Sequence, residues 1–106
     1  MTEINTNNFD EFINGSEIAV IDLHALWCGP CKVLGPIIES VSHEYETEHP
    51  NVKIAKMNVD DNRDKAIELG VTSIPTILIY KNGSLVERHT GMAQKPRLKD
   101  MIKKHM

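Results

Sequence analysis

The run Ile18-Ala19-Val20-Ile21-Asp22-Leu23 limits the possible folds of this chain more than any other segment. It is nearly all apolar and rich in β-branched residues, so it suits a strand covered on both faces, in the middle of a sheet with helices on either side. Trp27-Cys28-Gly29-Pro30-Cys31 follows at once and holds the only two cysteines. If a helix begins at Cys28, one turn brings the two sulfurs onto neighbouring positions, and the helix N-terminus favours a thiolate on the first. Cys28 is then placed to attack and Cys31 to resolve. Pro30 fits the first helical turn, where its missing N–H has no intrahelical partner, and Gly29 keeps that turn unobstructed.

Composition narrows the alternatives. A chain of 106 residues, 41% hydrophobic and 25% charged, is long enough for one good core and too short for two, so residues 1–106 are expected to form one domain. The net charge of -3, with lysines scattered among acids, offers no basic stripe for nucleic acid. Residues Met1 to Asn8 have neither a basic nor an apolar targeting region, and no apolar run is long enough to span a bilayer. A soluble cytoplasmic protein is expected. One bridge closing so short a loop would constrain the unfolded chain little, and a reducing cytosol would open it. Reactivity explains the cysteine pair better than stapling. Zinc ribbons also use C-x-x-C, but they need a second ligand pair that is missing here, so no metal is expected.

The rest of the chain alternates strand and helix. Thr6 or Asn7 is expected to cap a short helix carrying Phe9, Phe12 and Ile13, ended by Gly15. From Cys28 to about Glu48 apolar residues recur at three and four positions, with Pro36 expected to kink that helix. Val52 to Val59 reads as a strand and about Arg63 to Leu69 as a helix that Gly70 can terminate. Crossovers of this length make parallel strand pairs with right-handed connections. Thr76–Lys81 and Ser84–His89 flank Asn82-Gly83, the strongest short hairpin signal, so part of the sheet is antiparallel. A last helix is expected from about Lys95 to Lys104. The expected fold class is α/β, a mixed sheet of four or five strands flanked by helices on both faces.

These residues resemble the thioredoxin family in order and spacing: Asp22 to Lys32 with its Trp-Cys-Gly-Pro-Cys core, Ser73-Ile74-Pro75-Thr76, Tyr80-Lys81-Asn82-Gly83 and Thr90-Gly91. The resemblance covers essentially the whole chain. It implies the thioredoxin fold and a thiol-disulfide oxidoreductase that reduces protein disulfides through a redox-active Cys28–Cys31 pair, with no bound cofactor. It also implies re-reduction by a thioredoxin reductase, commonly a flavoprotein drawing on NADPH, with disulfide-containing proteins as substrates. A monomer is the expectation for this fold.

Each supporting residue has an ordinary alternative reading. Asp22 in an apolar strand would be costly unpaired and its pKa would rise, making it a candidate proton carrier; the alternative is a strand-end aspartate turned to solvent. The resemblance puts it beneath the disulfide, taking the proton of Cys31. Lys56 shares the alternation of Val52 and Ile54, and either tunes Asp22, as the family suggests, or snorkels to the surface. The resemblance makes the Ile74–Pro75 bond cis, turning the Ile74 backbone toward the dithiol as a docking edge. Trp27, Gly29, Pro30, Gly91 and Met92 then frame the substrate surface; otherwise Trp27 and Met92 are core and Gly91 a turn glycine. Lys32 either supports the thiolate or is a solvated helix residue.

The chain departs from the family pattern at His24, usually a bulky aromatic, and at Leu26, often acidic or small and polar. His24 either titrates near neutrality and favours the Cys28 thiolate when protonated, or is a neutral, hydrogen-bonded filler. His43, His49, His89 and His105 have no metal-ligand spacing. Two rival functions remain open: an oxidant or isomerase on the same fold, disfavoured by Gly29-Pro30, and a binding subunit whose dithiol is incidental.

Overall fold

The computed structural model describes residues 1–106. Its five strands are β1 (Thr2–Glu3), β2 (Ile18–His24), β3 (Val52–Asn58), β4 (Thr76–Lys81) and β5 (Ser84–Thr90). The helices are α1 (Phe9–Asn14), α2 (Gly29–Glu48), α3 (Arg63–Glu68) and α4 (Lys95–Lys103). The sheet order is β1-β3-β2-β4-β5, with β2 central. β3 runs parallel to both β1 and β2, while β4 runs antiparallel to β2 and β5. The expected mixed sheet of four or five strands is present, and it has five.

Strand alternation divides β2 between two cores. Ile18 and Val20 join Leu34, Ile38, Val41 and Tyr45 of α2 and Leu98, Met101 and Ile102 of α4. Ala19, Ile21 and Leu23 point the other way, into a cluster with Phe9 and Ile13 of α1, and Leu69 and Val71, which follow α3, pack against it. Each such aliphatic side chain, withdrawn from water, contributes on the order of 1.5–3 kcal/mol before conformational entropy is set against it. Asp22 and His24 continue the face of Ile18 and Val20, so the strand that anchors the core carries two polar groups toward α2.

Several boundaries differ from the sequence reading. β1 was not legible because two residues carry no period; its pairing with Ala55 and Lys56 nonetheless completes the fifth strand. Asn8, not Thr6 or Asn7, precedes α1, and no side chain caps that helix. The preceding turn is tied instead by Asn5 Oδ1, which accepts from the amides of Asn7 and Asn8. At the hairpin, Asn82 (φ 50°) and Gly83 (φ 84°) both take the left-handed conformation that Asn-Gly favours. Replacing Asn82 with alanine is expected to cost about 1 kcal/mol, since only glycine and the short amide or acid side chains enter that region readily. Urea unfolding of Asn82→Ala beside Asn82→Gly checks this; equal midpoints for Asn82→Ala and the native chain would contradict it.

Candidate functional site

The site gathers at the C-terminal end of β2. Leaving the sheet at His24, the chain makes a short turn in which Cys28 N–H donates to the Ala25 carbonyl at 3.3 Å, and α2 starts at once. Cys28 is the N-cap. Its Sγ accepts from the Cys31 amide at 3.2 Å, satisfying one of the helix's orphan donors with a sulfur. Those amides and the helix dipole would favour negative charge on that sulfur once reduced. Cys28 and Cys31 form a disulfide with Cα atoms 5.3 Å apart, both largely buried among Ala25, Val59 and Ile74. Gly29 and Pro30 are exposed, and no atom outside the turn lies within 4 Å of where a Gly29 side chain would begin.

Three further segments meet this turn. The Ile74–Pro75 peptide is cis, as the resemblance implied, and the Ile74 carbonyl oxygen lies 3.9 Å from Cys28 Sγ. Gly91, with φ 98°, donates its N–H to the Pro75 carbonyl at 2.8 Å, holding the end of β5 against that loop. A positive φ here is the turn-glycine feature anticipated from sequence, and it coexists with a place at the site. Met92 is 38% exposed and Trp27 70% exposed, so neither is the buried core residue of the ordinary reading.

Trp27 is oriented from beneath. Its Nε1–H donates to Asp60 Oδ2 at 2.7 Å, and the Asp60 amide in turn donates to Asn58 Oδ1 at 2.9 Å, just past the end of β3. Sequence reasoning missed Asp60. The available signal was its position: an acid directly after a parallel strand neighbouring β2 emerges at the same edge as the cysteines.

Behind the disulfide is a cavity of about 260 Å³ whose wall includes Asp22, His24, Cys31, Lys32, Glu39 and Lys56. Asp22 is 3% exposed, which removes the solvated alternative. Burial pushes its carboxyl from 3.8 up to about 6, and Lys56, its register partner on β3, partly opposes the rise. Asp22 Oδ1 has no hydrogen-bond partner. Lys56 is half-buried, its stem inside and its charge close enough to act on Asp22. The structure thus brings Asp22, Lys56 and Cys31 together. His24 lines the same cavity; burial pushes its pKa down, Lys56 adds to that, and Glu3 opposes it. A ring in this setting is neutral at pH 7, so the protonated imidazole envisaged beside Cys28 is not the form that burial favours. Its Nε2 is buried with no protein group as hydrogen-bond partner. Leu26 is 74% exposed beside Trp27, adding apolar surface where an acidic or small residue was the expectation.

The model of the family described as Thioredoxin matches residues 1–104. The chain belongs to the thioredoxin family. A thioredoxin of Chlamydia pneumoniae is 41% identical over 102 residues, covering 96% of this chain and 95% of that protein. The mitochondrial thioredoxin of Bos taurus is 40% identical over 95 residues, or 90% of this chain; the match spans about half, 55%, of that longer relative. The crystal structure of Fasciola hepatica thioredoxin superposes with a TM-score of 0.87 at 32% identity, each chain covered in full. In this member of the family the cysteine pair stands at the first turn of α2.

Proposed function

We propose that the protein, as one domain, reduces disulfides of other proteins, with Cys28 as nucleophile and Cys31 as resolving group. The observation that carries this reading is the Cys28 sulfur capping α2 while facing the Ile74 carbonyl edge across 3.9 Å. An extended substrate segment lies along the Ile74–Pro75 edge, over a surface made by Trp27, Gly29, Pro30, Gly91 and Met92. Cys28 thiolate attacks one substrate sulfur, and the other leaves as thiolate. Cys31 gives its proton to Asp22, and its Sγ attacks Cys28 Sγ. The Cys28–substrate bond breaks with its electron pair staying on the substrate sulfur. The substrate disulfide becomes two thiols, and the protein's two thiols become its disulfide.

The two electrons are restored by a thioredoxin reductase, and the working form is a cytoplasmic monomer that carries electrons in its own sulfurs. Lys56 steadies the charged form of Asp22 between proton transfers. The test is the reduction potential of the Cys28/Cys31 pair, measured in thiol-disulfide buffers and followed by the fluorescence of Trp27, the only tryptophan and the neighbour of Cys28. The expected value is more reducing than the cytosolic glutathione pool. A value near that of oxidising isomerases would reverse the direction assigned to the reaction.

A further inference from the structure

Two buried polar atoms lack a hydrogen-bond partner, Asp22 Oδ1 and His24 Nε2, and their residues line one cavity. The coincidence follows from β2: positions 22 and 24 share a sheet face, and the strand ends there, so both side chains point toward the first turns of α2. A buried polar atom left unsatisfied costs on the order of 1–3 kcal/mol, and a cavity of about 260 Å³ has ample room for a bridging water. We propose that His24 is a positioning residue for the resolving step, its Nε2–H donating through a cavity water to Asp22 Oδ1 and so holding the charged carboxylate ready for the proton of Cys31. This rests on the reading of Asp22 as proton acceptor and adds a second group to it.

The surroundings fit a donor at this place. Lys56 of β3 supplies the one positive charge that acts on both residues, Glu3 of β1, the register partner of Lys56, acts on His24 with the opposite sign, and Lys32 and Glu39 of α2 line the same cavity, with Glu39 3.9 Å from the Met1 amino group. The neutral imidazole favoured by burial keeps one N–H, and hydrogen bonding to a carboxylate stabilises its charged form. An apolar side chain at position 24 would fill the space without that donor.

The experiment uses the full chain in five forms: native, His24→Phe, His24→Gln, Asp22→Asn, and His24→Phe combined with Asp22→Asn. Folding is verified by circular dichroism. The Asp22 carboxyl is titrated by carbon-13 NMR in the oxidised protein, and resolution is timed in single turnovers across pH. His24→Phe should raise the carboxyl midpoint by about one pH unit and slow resolution about tenfold at a fixed acid pH, while His24→Gln, which restores an N–H, stays near native. In the Asp22→Asn background His24→Phe should have no effect on the pH profile. An unmoved midpoint in His24→Phe, or an equal shift in His24→Gln, overturns the role of His24 and leaves Asp22 standing. Resolution as fast in Asp22→Asn as in the native chain overturns the Asp22 reading and this inference together.

Discussion

Replacing Cys31 with serine is expected to stop turnover and to leave the protein covalently joined to its substrate. Cys28 keeps its place as N-cap of α2, where its sulfur accepts from the amide of residue 31 whatever that side chain is, so the first attack proceeds. The serine hydroxyl is a far weaker nucleophile than a thiolate and cannot displace the substrate, so the mixed disulfide accumulates. Multiple-turnover activity is expected to fall by at least about a thousandfold, as when a residue of a covalent mechanism is lost. Mass spectrometry without reductant should show one substrate per Cys31→Ser chain and none on Cys28→Ser. Trapping on Cys28→Ser instead would exchange the roles of the two sulfurs.

Asp22→Asn is expected to make the protein more stable and its resolving step slower. The carboxyl is raised from 3.8 to about 6 by burial, so the folded chain holds the proton more tightly than the unfolded chain does. Protons bound in the folded state exceed those in the unfolded state between about pH 4 and 6, and stability therefore falls as pH rises through that window. Below about pH 4 the penalty is absent, because both states are protonated. Above about pH 6 it is fully present and amounts to roughly 3 kcal/mol, from a shift of about two units. The amide of the Asp22→Asn variant has no charge to bury, so its advantage over the native chain should grow as pH rises through this window. Urea unfolding at pH 4 and pH 7.5 checks the sign: a stability difference that is the same at both pH values would show that the buried charge is not its source.

Where one stretch of chain carries its own structural signal, the fold was legible in advance. The β-branched run of β2, the three-and-four spacing of α2 and Asn82-Gly83 each fix local geometry through their own side chains, and those elements lie within a residue or two of their expected bounds. What was hidden depends on partners far off in sequence. β1 exists because Ala55 and Lys56 offer an open strand edge, and nothing in Thr2-Glu3 announces that. The turn before α1 is organised by Asn5, whose side chain competes successfully for backbone amides that Thr6 or Asn7 was expected to serve.

The site divides in the same way. Cys28, Cys31, Pro75 and Trp27 are legible because the motifs that hold them are short and specific. Asp60 is not, since an aspartate after a strand is common and only the 2.7 Å approach of the Trp27 indole gives it a role. Lys56 and His24 each had two readings from sequence. A sheet register and a shared cavity, both set by the three-dimensional pairing of β2 with β3, decide where they sit.

The strand order gives the two sides of the substrate groove unequal rigidity. Cys28 hangs from β2, which is bonded along both flanks and packed on both faces, whereas Gly91 and Met92 extend from β5, an outer strand whose side chains are mostly in water. Local opening is easiest where few neighbours resist it. One bank of the groove is therefore an anvil that fixes the reacting sulfur, and the opposite bank is a lip, tied to the Pro75 loop by the hydrogen bond from Gly91 N–H to the Pro75 carbonyl at 2.8 Å. Under the proposed function, the lip can adjust to a substrate protein without moving the sulfur.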